Sequence, residues 1–315
     1  MSDRETSRVE HTIEVDAPAA DIYRLLAEVE NWPRLFHPTI HVDHVERGER
    51  SERIRIWATA NGEAKSWTSR RQLHPEELRI DFRQEVSAPP VAAMGGAWII
   101  EPVSDRTCRV RLLHDYRAVD DDAEGLAWID QAVDRNSRSE LAALKVSAEL
   151  VVGAPADLLL SFQDSVRIDG SVKDVYDFLD RADRWTERLP HVAKVELIED
   201  TPGLQLLTME TRAKDGSTHT TTSVRVCFPH RRIVYKQTVV PALMTLHTGY
   251  WLLEEDGAGV VATSQHTVVI NTENIPVVLG EQAGVADARQ YVQGALSANS
   301  RATLGHAKDY AESRA

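Results

Sequence analysis

The chain contains itself twice, and this constrains its fold more than any other feature of its 315 residues. Val15-Asp16 recurs as Ile168-Asp169, Asp21-Ile22-Tyr23 as Asp174-Val175-Tyr176, Trp32 as Trp185 and Trp98 as Trp251, all 153 positions apart. Ile80, Phe82 and Gln84 fall on Ile233, Tyr235 and Gln237 at the same spacing. Near the ends of the halves the spacing widens to 163: Asn136-Ser137-Arg138 matches Asn299-Ser300-Arg301, Lys145 matches Lys308, and Ala148-Glu149 matches Ala311-Glu312. Solenoid repeats run about 20–50 residues, so a period this long marks a duplicated domain. The expected domains are 1–152 and 153–315, divided at the breakers Gly153-Ala154-Pro155. The apolar run Leu158-Leu159-Leu160 just beyond is expected to pack between them.

Each half reads in the same order. An alternating stretch, Val9 to Val15 or Ser165 to Ile168, predicts a strand. Ile22, Leu25, Leu26 and Val29 then recur at helical spacing, as do Val172, Val175, Tyr176 and Leu179. Ser171 with Asp174 resembles a capping box. Several strands follow without helices between them, which predicts an antiparallel sheet. A long helix closes each half, roughly Leu126 to Leu150 and Ala286 to Ala311. The expected fold class is α+β: in each half a curved antiparallel sheet wraps the long C-terminal helix, with a pocket between them.

Composition narrows the function. The net charge of −13 repels phosphate backbones and anionic lipid, so neither nucleic acid nor a membrane surface is an expected partner. No run of about 18 apolar residues is present, and the charged Met1-Ser2-Asp3-Arg4-Glu5 lacks a signal core, so a cytoplasmic protein is expected. Cys108 and Cys227, far apart, supply neither a disulfide framework nor a zinc cluster. His37, His41 and His44 lack helical spacing and carboxylate company, so no metal is expected. Hydrolase elbows, phosphate loops and metalloprotease motifs do not occur.

Polar residues at strand spacing are the best candidates for chemistry. Trp67, Ser69 and Arg71 share one face of a strand, and Thr221, Ser223 and Arg225 repeat the spacing. An inward arginine is a fixed donor fork for a carbonyl or enolate oxygen. The other reading pairs it with a core carboxylate or turns Arg70 inward. Asn136 and Asn299 fall on the apolar faces of the closing helices, either to hold a ligand oxygen or to satisfy an internal turn. His114 and His266 match on a late strand, as proton carriers or as satisfied strand histidines. Five of seven tryptophans (32, 57, 67, 98, 128) lie in the first half, which predicts unequal pockets with the richer one catalytic.

The segments Glu30 to Phe36, Trp67-Thr68-Ser69-Arg70-Arg71, Met94 to Trp98 and Arg135-Asn136-Ser137-Arg138, in this order, resemble the aromatase/cyclases of bacterial type II polyketide synthases. The duplication resembles their di-domain form. The resemblance implies tandem START-like helix-grip domains. It implies a pocket lined by Trp32, Phe36, Trp67, Ser69, Arg71, Met94, Trp98 and Asn136, and a second lined by Trp185, Ser223, Arg225, Trp251 and Asn299. Thr39 stands where relatives often carry a pocket tyrosine. In the second half Phe36, Trp67 and Met94 become Leu189, Thr221 and His247.

The implied activity is closure of the first ring of a poly-β-ketone by a C7–C12 aldol reaction, loss of water, or both. Arg71 or Arg225 would hold the enolate, Ser69 or Ser223 relay protons, and Asn136 hold another oxygen, with no cofactor. The implied partners are an acyl carrier protein and other synthase subunits, docking on a basic surface such as Arg79/Arg83 or Arg231/Arg232. The alternative from another class is a non-catalytic carrier of hydrophobic ligands or lipids.

Overall fold

The computed structural model describes residues 6–60, 63–153, 156–212 and 218–315. The chain divides into two compact units, Met1–Ala154 and Pro155–Ala315. Ala154 and Pro155, two of the three expected boundary residues, lie outside the described residues.

In the first unit β1 (Ser7–Val15) is followed by α1 (Ala19–Ala27) and α2 (Trp32–Leu35). Next come β2 (Thr39–Arg47), β3 (Ser51–Ala60), β4 (Glu63–His74), β5 (Arg79–Gln84), β6 (Val91–Ser104) and β7 (Thr107–Ala118), closed by α3 (Ala123–Gly153). The sheet order is β1-β7-β6-β5-β4-β3-β2, antiparallel throughout. The short helices carry the chain from β1 to the far edge, and a meander then returns it to β1's side. Strict alternation of exposure along β1 leaves one face for α3, which packs on β1 and β7. Ile22 and Leu26 of α1, one helical turn apart, join Trp98, Ile100, Leu112, Leu141 and Leu144 in the core.

The second unit repeats the plan: β8 (Leu159–Ile168), α4 (Val172–Asp180), α5 (Trp185–Arg188), β9 (Val192–Thr201), β10 (Leu204–Arg212), β11 (Thr218–Phe228), β12 (Arg232–Val239), β13 (Met244–Glu255) and β14 (Val260–Ile270). Its sheet order is β8-β14-β13-β12-β11-β10-β9. An added helix, α6 (Ile275–Leu279), precedes the closing α7 (Val285–Glu312) and accounts for the wider repeat spacing. Ser171 accepts from Asp174 N at 3.1 Å and caps α4, as its spacing predicts. Leu158 and Leu160 differ from expectation. They pack with Val268 and Val292 inside the second unit's own core, and Leu159 is exposed.

The repeated Lys and Glu near the chain ends have one shared job. Lys145 Nζ donates to Glu14 O at 2.9 Å, and Lys308 Nζ to Arg167 O at 3.1 Å. Glu149 and Glu312 accept from the backbone N–H of Asp16 and Asp169. Each pair clasps the end of a long helix to the end of its first strand.

Candidate active site

Of the two registers open to β4, the structure takes the one that buries Ser69 and Arg71 and exposes Arg70. The Arg71 fork is fully engaged. It donates to Leu26 O at 2.6 Å and Ala27 O at 3.4 Å, and pairs with Glu52 at 2.7 Å across the β3–β4 ladder. It lies over the Trp32 ring, whose Nε1 also donates to Leu26 O. Desolvation holds its pKa down at about 10 against the opposing pull of Glu52. The carbonyls at the end of α1 have no partner within the helix, and Arg71 supplies one. Ser69 donates to Arg83 O at 3.2 Å.

The second unit rebuilds this clamp with one change. Arg225 donates to Leu179 O at 2.6 Å and Asp180 O at 3.5 Å, over the Trp185 ring. Trp185 Nε1 donates to Phe178 O. Across the ladder from Arg225, however, stands Gln205 in the place of Glu52. The Gln205 amide turns to Asp180 and Glu199 instead. Arg225 thus has the helix-end contacts without a carboxylate salt bridge among the described residues.

Tryptophan numbers overstate the difference between the interiors. Trp57 stacks on His41 beneath Arg55, on the sheet face away from Ile54 and Ile56, and Trp128 is 49% exposed. Trp32, Phe36 and Trp98 make continuous ring contacts. Trp67 sits beside them with Val29 and Ile56, whereas Met94 packs at the other end with Ile129 and Val133. Asn136 is exposed, contrary to expectation; the buried polar residue on that turn of α3 is Ser137, 3.4 Å from His114 Nδ1. The buried residues of α3 step by four, Ile129, Val133, Ser137 and Leu141, and Asn136, three residues after Val133, falls about 60° to the other side of that stripe. His44 meets Glu52 at 2.9 Å while His41 stacks on Trp57, and no group of three metal-binding side chains occurs among the described residues.

In the second unit the expected residues do converge. Trp185, Ser223, Arg225, Trp251 and Asn299 line one cavity of about 130 Å³. A dry cavity of about 150 Å³ accepts benzene, so this space fits a single six-membered ring. The same cavity holds a polar cluster that sequence reading found only in part. Tyr235 Oη and His247 Nε2 each lie 2.9 Å from His266 Nδ1. Ser300 Oγ lies 2.7 Å from His266 Nε2 and 3.0 Å from Ser264 Oγ. Burial holds His247 down at about 3 and His266 at about 4, so both rings are neutral at neutral pH, and it pushes the Tyr235 hydroxyl up. The matched positions of the first unit carry Phe82, Met94, His114 and Ser137. The repeat displayed these substitutions, but nothing local ties together Tyr235, His247 and His266.

Glu140 went unnoticed in the sequence. It occupies the α3 position that Thr303, a cavity residue, holds in α7. It has no hydrogen-bond or ion partner among the described residues, and burial pushes its carboxyl from 4.5 up to about 7. The folded unit therefore binds the extra proton more tightly, and stability falls as pH rises from about 4.5 to 7. Glu140→Gln is expected to leave stability unchanged at pH 4 and raise it by about 1–3 kcal/mol at pH 8, read by urea unfolding.

Comparison with known proteins agrees with this architecture. The sequence model of the family described as "Polyketide cyclase / dehydrase and lipid transport" matches twice, over residues 6–149 and 160–312. The granaticin polyketide synthase bifunctional cyclase/dehydratase of Streptomyces virginiae is 53% identical over 300 residues, covering 94% of this chain and 97% of the relative. The actinorhodin polyketide synthase bifunctional cyclase/dehydratase of Streptomyces coelicolor is 48% identical over 310 residues, 95% of each chain. The crystal structure of the di-domain ARO/CYC BexL from the BE-7585A biosynthetic pathway superposes with a TM-score of 0.91 at 67% identity, covering 97% of this chain and 99% of that one. With two helix-grip units, each matched by the family and each built around the same Trp–Arg clamp, the chain belongs to the polyketide cyclase/dehydrase and lipid-transport family, in its di-domain form.

Proposed function

We propose that this protein closes the first ring of a carrier-bound poly-β-ketone, by an aldol reaction between C7 and C12, and aromatises it by loss of water. The observation that carries this reading is the convergence of Arg225, Ser223, Asn299 and two indoles on a cavity of one-ring size. Holding two carbons of one chain in that space supplies the orientation an intramolecular aldol needs, worth up to about 7–11 kcal/mol of barrier. Arg225 is a fixed donor for the developing enolate oxygen, and Ser223 and Asn299 are placed to hold further oxygens. No cofactor is needed, because protons between two carbonyls are already acidic.

The first unit carries the corresponding Arg71, Ser69 and Asn136. Arg71 is ion-paired there and Asn136 is exposed, so we assign this unit chain binding along Trp32, Phe36 and Trp98, and the direct chemistry to the second. Tryptophan number pointed the other way; the Glu52-to-Gln205 change outweighs it. An acyl carrier protein would deliver the chain alongside the other synthase subunits in the cytoplasm. Arg79 and Arg83 serve its docking poorly, since Asp81 and Asp115 neutralise them. Among the described residues no helix is long and apolar enough to cross a membrane.

Reconstitution with the minimal synthase, with and without ketoreductase, tests the reading. Arg225→Met, assayed below its unfolding midpoint, is expected to lower aromatised product by about 10²–10³-fold. An unchanged product distribution would refute it, and the same products without the protein would favour a carrier.

A further inference from the structure

Resting on the proposed reaction, the geometry points to a proton relay of His247, His266 and Tyr235 that carries out the loss of water in the second unit's cavity. All three side chains line that cavity. His266 Nδ1 has two partners at 2.9 Å, Tyr235 Oη and His247 Nε2, and one lone pair with which to receive them. When His247 Nε2–H occupies that lone pair, the Tyr235 O–H is left to a ligand. His247 Nδ1 is buried without a partner, and so is Oε1 of Gln237, another lining residue. An unfilled buried acceptor costs about 1–3 kcal/mol, and a ligand C–H or O–H at this place relieves it. The opposite edge of His266 is pinned: Nε2 meets Ser300 Oγ at 2.7 Å and Ser264 Oγ at 3.2 Å. With Nε2–H donated to Ser300, Nδ1 is the free relay atom.

The elimination then balances. His247 Nδ1 takes the proton from the carbon between the ring carbonyl and the carbinol. That C–H electron pair becomes the new carbon–carbon double bond, and the carbinol C–O bond breaks. The departing oxygen takes the Tyr235 proton and leaves as water. The Nε2 proton of His247 moves to His266 Nδ1 and on to the Tyr235 oxygen. The substrate has lost one water, and the protein differs only in the tautomer of His247, which solvent exchange resets. Burial disfavours the charged form of every member, which suits concerted transfer over any isolated imidazolium or phenolate. Phe82 and Met94 stand at the Tyr235 and His247 positions of the first unit, which cannot run this step.

The test uses the full chain and a ring-closed β-hydroxy ketone presented as an N-acetylcysteamine thioester. Water loss is read from the rise in aromatic absorbance, and ring closure is followed separately with the synthase. Tyr235→Phe and His247→Met install residues the first unit already tolerates. Each is expected to reduce kcat for water loss at least about 100-fold, with KM changed less than threefold and ring closure reduced at least tenfold less than water loss. Either variant losing water at the parental rate would overturn the relay, as would ring closure falling in step with water loss. A parental chain inactive in both assays would overturn the underlying reading and the relay with it.

Discussion

Arg71→Ala is expected to destabilise the first unit by about 3–5 kcal/mol, because it leaves a buried carboxylate without its partner. Glu52 is buried, and its other contact is His44 at 2.9 Å. Truncation also strips the Leu26 carbonyl of its 2.6 Å donor and the Trp32 ring of its cation. Arg225→Ala in the second unit leaves no carboxylate unpaired in this way, since Gln205 is neutral. It is expected to cost less, about 1–3 kcal/mol for the orphaned carbonyls. Denaturant unfolding of both variants, with Arg71→Ala/Glu52→Gln as the third, checks the cause. If the double variant is no more stable than Arg71→Ala, the stranded charge is not the origin of the loss.

Gly249→Ala should be nearly as damaging. A Cβ there would lie 2.2 Å from Gln265 O and 2.5 Å from Tyr235 Oη. The carbonyl belongs to the neighbouring strand and cannot swing aside, so a cost at the upper end of overpacking is expected, about 3 kcal/mol. The displaced tyrosine would also leave His266. Gly96 has the same place in the first unit, 1.8 Å from Leu113 O and 2.9 Å from the Phe82 ring. Absence of a side chain at both positions lets residue 82 or 235 lie flat across the strand. Gly294→Ala in α7, with open space around it, is the contrast: about 0.5–1 kcal/mol of stabilisation. Similar unfolding curves for Gly249→Ala and Gly294→Ala would contradict the steric account.

Much of the fold was legible because it repeats. Matched Trp, Arg, Lys and Glu positions mark the clamp and the clasp in each unit, although their spacing did not disclose what they do. The long helices and first strands follow from local periodicity. Strands β2, β9 and β10 carry weaker signals: charge or histidine interrupts the apolar residues of β2 and β9, and the adjacent Leu206-Leu207 breaks the alternation of β10. The Ser69/Arg71 and Ser223/Arg225 pairs were legible from period two alone. Asn136 shares helical spacing with Ile129 and Val133, but the buried stripe of α3 advances by four residues and takes in Ser137 instead.

The sequence by itself determined the duplication, because matched residues recur in one order along both halves, and it determined that Ser69 with Arg71 and Ser223 with Arg225 share a strand face, because that depends only on residues two apart. Only the tertiary structure decided which arginine has a carboxylate opposite it, which tryptophans face the interior, and that Tyr235, His247 and His266 meet. Those outcomes depend on the pairing register between neighbouring strands of the sheet, which local periodicity does not fix. There a single exchange, Glu52 for Gln205 or Met94 for His247, alters the charge and chemistry of an entire interior while leaving every local pattern intact.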